Sequence, residues 1–107
     1  MNLPNVVSEL VKAQNMHDST AYANCFSAKA TVADEGKTYH GKAEIQRWIE
    51  TANENYKTVM KPLDFKESET QSILKAEISG SFPGSPAILS YQLELVDGLI
   101  QSLKITG

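Results

Sequence analysis

An aspartate at the end of a short apolar run has the clearest chemical potential in this chain. The run is Ala30-Thr31-Val32-Ala33-Asp34, and alternation along an extended segment puts Ala30, Val32 and Asp34 on one face. A carboxylate that faces an apolar interior has its charged form disfavoured, so it holds a proton more readily and can transfer one. A second interpretation stays open, in which Asp34 caps the turn at Glu35-Gly36 by bonding to the turn's own backbone.

Tyr91 and the histidines are weaker candidates. Tyr91 is expected to face inward, where its hydroxyl either donates a hydrogen bond to a ligand or bonds to a backbone carbonyl as a core tyrosine. His17 is expected at the end of a helix, where a cationic side chain favours the helix dipole. The two histidines and the scattered acids have no metal-ligand spacing, so we expect no metal site. No glycine-rich phosphate loop or nucleophile motif occurs, which disfavours nucleotide chemistry and hydrolysis.

Composition excludes several classes of protein. The chain has 107 residues, 41% of them hydrophobic and 21% charged, which predicts one globular domain over residues 1–107. No apolar stretch is long enough to span a bilayer, and the first residues lack the pattern of a secretory signal, so we expect a soluble cytoplasmic protein without membrane contact. The net charge is −3 and the basic residues are scattered, which disfavours a nucleic-acid partner. The single cysteine, Cys25, excludes an internal disulfide.

Helical patterns occupy the first half of the chain. Apolar residues at helical spacing predict a first helix from about Pro4 to Asn15. Asp18 can cap a short second helix that is expected to end near Ser27, with Tyr22 and Phe26 one turn apart on one face. A third helix is predicted from its apolar stripe, which fades in the polar run 53–55. The stripe consists of Ile45, Trp48, Ile49 and Ala52.

Extended patterns dominate the second half. A short hairpin, 31–34 with 37–40, lies between the second and third helices, and four longer runs follow at 57–68, 71–82, 87–96 and 99–106. Asp97-Gly98 is a strong hairpin signal, so the last two strands are predicted to pair antiparallel. Alternation puts Leu89, Tyr91, Leu93 and Leu95 on the inner face of the penultimate strand, and Leu99, Leu103 and Ile105, with Gln101 among them, on one face of the last strand. The outer face is expected to carry Ser90, Gln92, Ile100 and Ser102. Helices packed on one face of such a sheet make an α+β fold.

The order of elements and three local motifs resemble the SnoaL-like, ketosteroid-isomerase-like branch of the nuclear transport factor 2-like superfamily. Residues 15–26 resemble its "N-x-x-D … F" helix pair, residues 30–34 its "A-x-V-x-D" strand, and residues 41–45 the "G-x-x-x-I" start of its third helix. The motifs cover about a third of the chain, and the remainder matches by element order. The resemblance implies a cone-shaped fold, in which three N-terminal helices pack on a curved, mostly antiparallel sheet around a pocket.

The resemblance also implies roles for individual residues. Asp34 stands where steroid isomerases of this family have their general base. The rest of that apparatus departs from the pattern, because Leu10 occupies the position of the first-helix tyrosine and no acid lies near Tyr91. In family terms His40 lies near the pocket rim. The residues expected to line the pocket, each of which is otherwise an ordinary core residue, are Trp48, Tyr91, Phe26 and Tyr22.

Two functions follow from these expectations. The first is a cofactor-independent isomerase or cyclase, in which Asp34 moves a proton on a small apolar carbonyl compound. The second is a non-catalytic ligand-binding or assembly module. In both, the sheet face away from the helices is expected to form a homodimer, since the helices cover only one face.

Overall fold

All three helices precede residue 57, and four of the six strands follow it. The computed structural model describes residues 1–107. The helices are α1 (Asn5–Asn15), α2 (Ser19–Ala23) and α3 (Gly41–Tyr56). The strands are β1 (Phe26–Asp34), β2 (Lys37–His40), β3 (Val59–Glu67), β4 (Ser72–Ser79), β5 (Ala87–Val96) and β6 (Leu99–Thr106). No helix is both long enough and apolar enough to cross a bilayer.

The six strands form one sheet in the order β2-β1-β6-β5-β4-β3. Only β1 and β6 pair in parallel, and the other four pairings are antiparallel. The helices pack on one face of this sheet, where α3 contacts β1 and β2 while α1 contacts β3. This arrangement confirms the predicted α+β fold. The buried core between the layers includes Leu10, Ile45, Leu74, Leu93 and Leu103.

Two tight turns fix the hairpins as their sequences predict. Glu35 and Gly36 have φ values of 52° and 78°, and Asp97 and Gly98 have the same pair of values. Positive φ at both central positions is typical of the turn whose twist matches that of paired strands. As a result, the predicted bounds of β5 and β6 agree with the structure, and Asp34 lies at the last position of β1, directly opposite Lys37.

Helix α2 is shorter than predicted, and the assignment of Phe26 to it is wrong. Asp18 does cap α2 through its Oδ1, which accepts from the Ala21 N–H at 3.0 Å. The helix ends at Ala23, because the Ile100 N–H donates to the Cys25 carbonyl at 2.9 Å and draws the following residues into the sheet. Phe26 is therefore the first residue of β1, where it is fully buried.

The last strand also differs from simple alternation. Leu95 pairs with Ile100 and Glu94 with Ser102, so β6 carries one extra residue at this point. Such a bulge reverses the direction of the side chains that precede it. Ile100, predicted to lie on the outer face, is fully buried, whereas Leu99, predicted to face inward, is 36% exposed.

Helix α3 is longer than its apolar stripe indicates. It begins at Gly41, and the His40 N–H donates to the Glu44 side chain at 3.0 Å, which satisfies a free donor at the helix start. It continues through Asn53, which is buried, to Tyr56. Lys57, in the left-handed conformation with φ 48°, ends the helix.

Candidate functional site

A cavity of about 1120 Å³ lies between the helices and the inner face of the sheet. Its apolar wall comes from α3 and from the inward positions of β4, β5 and β6, and its mouth is bordered by exposed charged residues such as Glu35, Lys37 and Arg47. The apolar wall includes Ile49, Ala52, Ile78, Leu89 and Ile105. Because all three helices and five of the six strands contribute to it, the cavity is a product of the whole fold.

Asp34 contributes a half-buried carboxylate to this cavity. Loss of solvent raises its pKa above the usual value, and the nearby Glu35 carboxylate raises it further. The Glu35 backbone N–H and the Trp48 indole N–H both lower the pKa of Asp34, because they stabilise its charged form. Burial outweighs these contacts, so the turn contact and the cavity position coexist and the net shift is upward.

Tyr22, from α2, places a buried phenol near the same carboxylate. The ring packs against Phe26 and Trp48, with ring centres at 5.6 and 6.1 Å. Its hydroxyl has no hydrogen-bond partner within the protein. Burial raises the pKa of Tyr22 well above its usual value, with further contributions from Tyr91 and Asp34. Tyr22 is therefore a neutral hydrogen-bond donor whose proton is not used by the fold.

Tyr91, from the centre of β5, is the second phenol. It is 2% exposed, and burial, with Asp34 nearby, raises its pKa above the usual range. The Gln14 amide lies beside the Tyr91 hydroxyl and lowers its pKa, against the effect of burial. Gln14 in turn donates to the Thr58 hydroxyl at 3.2 Å. Asp34, the two tyrosines, Gln14 and Thr58 thus form the polar part of the cavity lining.

Gln14 and Thr58 were not singled out from the sequence, although both are buried and both line the cavity. One signal was present for Gln14: it follows Val7 and Leu10 at helical spacing, so a polar side chain occupies the buried face of α1. Thr58 carried no such signal, because it lies in the connection between α3 and β3.

The structure brings together four of the six residues predicted for the site. Tyr22, Asp34, Trp48 and Tyr91 line the cavity, and their roles in ligand binding stay predictions. Phe26 and His40 do not line it. Phe26 lies in the core behind Tyr22, since it belongs to β1 rather than to α2.

His40 is exposed and lies opposite Thr31 in the hairpin, whereas Asp34 lies opposite Lys37. The hairpin register therefore separates His40 from the Asp34 carboxylate. His17 also lies outside the cavity lining, and its Nε2 contacts the Thr58 carbonyl oxygen at 2.9 Å. No three His, Cys, Asp or Glu side chains are grouped in a way that could hold a metal ion.

A second aromatic pair borders the cavity at the end of α3. Tyr56 and Phe82 meet edge to face with ring centres 6.1 Å apart. The loop that carries Phe82 is fixed to the helix, because the Ser81 N–H donates to the Tyr56 carbonyl at 2.8 Å. This part of the lining comes from the connection between β4 and β5.

Solved structures share this fold over nearly the whole chain. A provisionally assigned polyketide cyclase from Sinorhizobium meliloti is 34% identical, with 97% of this chain and 95% of that chain covered and a TM-score of 0.93. A protein with a ketosteroid isomerase-like fold from Catenulispora acidiphila, solved with trimethylamine, is 18% identical over 99% and 87% of the two chains, with a TM-score of 0.88.

A third similar structure is SalBIII, an epoxide hydrolase/cyclase-like enzyme of pyran ring formation in salinomycin. It is 17% identical over 94% and 85% of the two chains, with a TM-score of 0.77. No protein-family model and no curated protein sequence matches the chain. The identity to the Sinorhizobium protein over almost the full length, together with the shared fold, shows that this chain belongs to the nuclear transport factor 2-like superfamily, in its SnoaL-like, ketosteroid-isomerase-like branch.

Proposed function

We propose that this protein is a cofactor-independent isomerase or cyclase that moves a proton on a small apolar carbonyl compound, with Asp34 as the group that takes and returns the proton. The observation that carries the proposal is the position of Asp34. It is a half-buried carboxylate of raised pKa in an apolar cavity, close to a tyrosine hydroxyl that has no protein partner. A carboxylate with increased proton affinity is a stronger base than an ordinary aspartate.

The reaction needs a base and a donor in one place. Asp34 removes a proton from the carbon next to the carbonyl, and the electron pair of that C–H bond moves towards the carbonyl oxygen. The phenol of Tyr22 or Tyr91 donates a hydrogen bond to the oxygen as it becomes negative, which is most effective where water is excluded. The protonated Asp34 then returns the proton to carbon, so the enzyme ends unchanged.

The relatives support ring formation as a general type of reaction. The Sinorhizobium protein is provisionally assigned as a polyketide cyclase, and SalBIII is an epoxide hydrolase/cyclase-like enzyme. A polyketide is a chain of carbonyl groups with acidic C–H bonds between them, and its cyclisation begins with the removal of such a proton. The steroid isomerase pairing of a tyrosine with a protonated aspartate is not repeated here, since Leu10 is an apolar core residue, so we do not propose a steroid as the substrate.

The direct test uses 2-tetralone, a small cyclic ketone with acidic C–H bonds. Exchange of its α-protons in D₂O is followed by NMR, with and without the protein. We expect exchange to be accelerated, and the Asp34→Asn variant to lose the acceleration. Asp64→Asn, which changes an exposed aspartate of β3, is the matched control and should behave as the wild type. Equal acceleration by the two variants would remove Asp34 from the mechanism.

The alternative is a non-catalytic ligand-binding or assembly module, and either function is compatible with a homodimer. The sheet face away from the helices exposes large apolar side chains, among them Ile88 at 60%, Val96 at 50% and Ile73 at 37%. The pairing of β4 with β5 places Ile73 directly opposite Gln92. We propose that a second copy of the chain covers this face, because it would shield these apolar side chains from water, while charged residues of the same face such as Lys75 and Glu77 would lie at the polar rim.

A further inference from the structure

The start of β3 is fixed to the end of α1 by two polar side chains of the helix, Gln14 and Asn15, and by His17 just beyond it. Asn15 forms two hydrogen bonds with the backbone of Met60, at 3.0 Å through its Nδ2 and at 2.6 Å through its Oδ1. His17 contacts the Thr58 carbonyl at 2.9 Å, and the Gln14 Nε2 donates to the Thr58 hydroxyl at 3.2 Å. Asn15 uses both ends of its amide in this attachment, whereas Gln14 uses only one.

The unused end of Gln14 is the Oε1 atom, which is buried and has no hydrogen-bond donor within the protein. Gln14 is only 5% exposed, and it lines the cavity together with Thr58. A buried acceptor without a donor is unfavourable, and native structures contain few of them. The attachments of α1 to β3 leave this acceptor unused, so the fold explains the Nε2 of Gln14 but not its Oε1.

This amide and Asp34 belong to different elements that both line the cavity. Thr58 precedes β3 at one edge of the sheet, whereas Asp34 ends β1, which lies four positions away in the strand order. Tyr91 is on β5, between these two flanks, and its phenol interacts with both Asp34 and Gln14. The lining also includes apolar side chains such as Ile49 and Ile78.

We infer that Gln14, oriented by Thr58, is a second polar subsite of the cavity that accepts a hydrogen bond from the ligand, so that the substrate is a small cyclic ketone with a hydroxyl or amino group remote from its carbonyl. This substrate class rests on the proposed function, because the carbonyl is the part that Asp34 and the tyrosines would serve. The remote hydroxyl or amino group donates to the buried Oε1, and the apolar ring packs against apolar side chains of the lining such as Ile49 and Ile78.

Three compounds of one shape test the inference. The probes are 2-tetralone, 6-hydroxy-2-tetralone, which adds a hydroxyl donor, and 6-methoxy-2-tetralone, which keeps the oxygen without the donor. Affinities for the wild-type protein are measured by isothermal titration calorimetry. We expect the hydroxy compound to bind about tenfold more tightly than each of the other two, the usual effect of one hydrogen bond to a buried group. Equal or weaker binding of the hydroxy compound overturns the inference.

Two variants assign the preference to the amide. Gln14→Leu fills similar space without the acceptor, and we expect the three affinities to become equal within about twofold, since no hydrogen bond then distinguishes them. Thr58→Val keeps the shape of the side chain but removes the hydroxyl that orients the amide, so it should reduce the preference. A preference that survives in Gln14→Leu overturns the inference, and if neither variant folds, the three wild-type affinities decide.

Failure of this inference is distinguishable from failure of the proposed function. The calorimetric comparison measures binding and needs no turnover. If the hydroxy compound is preferred but Asp34→Asn still accelerates proton exchange, the subsite stands and the proposed chemistry does not. If Asp34→Asn abolishes exchange while the three compounds bind equally, the chemistry stands and the subsite does not.

Discussion

The indole N–H of Trp48 faces the carboxylate of Asp34 and stabilises its charged form, against the effect of burial. The indole is itself held in place by Tyr39, whose ring stacks on it with ring centres 5.5 Å apart and an angle of 29°. Asp34 and Tyr39 belong to the two strands of one hairpin, and Trp48 to the helix that follows. Burial raises the pKa of Asp34, and the packing of the hairpin against α3 limits this rise through the indole N–H.

Replacement of Trp48 by Phe should raise the pKa of Asp34 further. Phe keeps an aromatic ring next to Tyr39 but has no N–H, so one of the contacts that favour the carboxylate is lost while burial remains. The pKa is measured by NMR titration of ¹³C-labelled aspartate. Glu44→Gln, which removes an exposed charge at the cavity mouth, serves as a control for general changes in charge. A pKa of Asp34 that is unchanged or lower in Trp48→Phe would show that the indole does not support the carboxylate.

Replacement of Asp34 by Asn should stabilise the protein at neutral pH. The pKa of Asp34 is higher in the folded than in the unfolded chain, so the folded state binds more protons between the two values and its stability falls as pH rises through that interval. Asn keeps an oxygen for the Glu35 N–H but cannot ionise. The advantage of the variant should therefore be absent at acidic pH, below the unfolded pKa of about 3.9, and fully present above the folded pKa.

Thermal unfolding of both proteins from acidic to neutral pH measures this effect. A variant that is less stable than the wild type at neutral pH would indicate that the turn contact of Asp34, rather than its burial, dominates. That outcome would leave the proposed base without its raised proton affinity.

Local patterns predicted much of this fold because they coincide with what the tertiary structure requires. Asp97-Gly98 and Glu35-Gly36 have the turn chemistry that their hairpins need, and alternation placed Tyr91 and Leu93 correctly on the inner face. Where the fold overrides the local pattern, prediction failed. The helical spacing of Tyr22 and Phe26 did not anticipate the hydrogen bond from Ile100 that ends α2, and strict alternation did not anticipate the bulge in β6.

Less of the candidate site was predictable from the sequence, because several of its residues meet only through tertiary packing. The position of Asp34 follows from one strand and the turn after it, both of which are local. The amide of Gln14 and the hydroxyl of Thr58 meet across 44 positions in the sequence, and only the packing of α1 on β3 brings them together. The missing partner of the Tyr22 hydroxyl likewise depends on every neighbour of that atom, which no local pattern describes.

Replacement of Tyr22 by Phe should separate stability from activity. The Tyr22 hydroxyl is buried without a partner, so its removal should leave the free energy of unfolding unchanged or raise it by about 1 kcal/mol. If the hydroxyl donates to the developing oxyanion, proton exchange of 2-tetralone should fall by about 100-fold. Tyr91→Phe is the comparison, since Tyr91 does interact with Gln14 and should lose about 1 kcal/mol. Clear destabilisation by Tyr22→Phe would mean that its hydroxyl serves the fold.

Replacement of Ile88 by Glu should dissociate the proposed dimer. Ile88 is 60% exposed in the single chain and lies opposite Glu77, so a second carboxylate at this position would be unfavourable once a partner excludes water. Light scattering at micromolar concentration should give the mass of a dimer for the wild type and of a monomer for the variant. Met16→Glu is the matched control, because Met16 is 66% exposed at the end of α1, away from the sheet face. A monomeric wild type, or a dimer that persists in Ile88→Glu, would contradict the proposed interface.

Replacement of Gly80 by Ala should disturb the aromatic end of the cavity. A Cβ at Gly80 would lie 2.5 Å from the Tyr56 carbonyl oxygen and 3.3 Å from the Phe82 ring. The first contact is with backbone and cannot be relieved by a rotamer change, so the loop must move away from α3 and weaken the bond from the Ser81 N–H to that same carbonyl. We expect a loss of about 1–3 kcal/mol in stability, the range for overpacking.

The variant should also bind 2-tetralone several-fold more weakly, since Phe82 would be displaced from the lining. Gly84→Ala is the control in the same loop. Gly84 has a φ of 87°, so Ala is strained there, but its Cβ would meet no atom within 4 Å and Phe82 should stay in place. Loss of stability in both variants with loss of affinity only in Gly80→Ala would assign the effect to the aromatic pair. Equal affinities in both would show that Tyr56 and Phe82 border the cavity without contributing to binding.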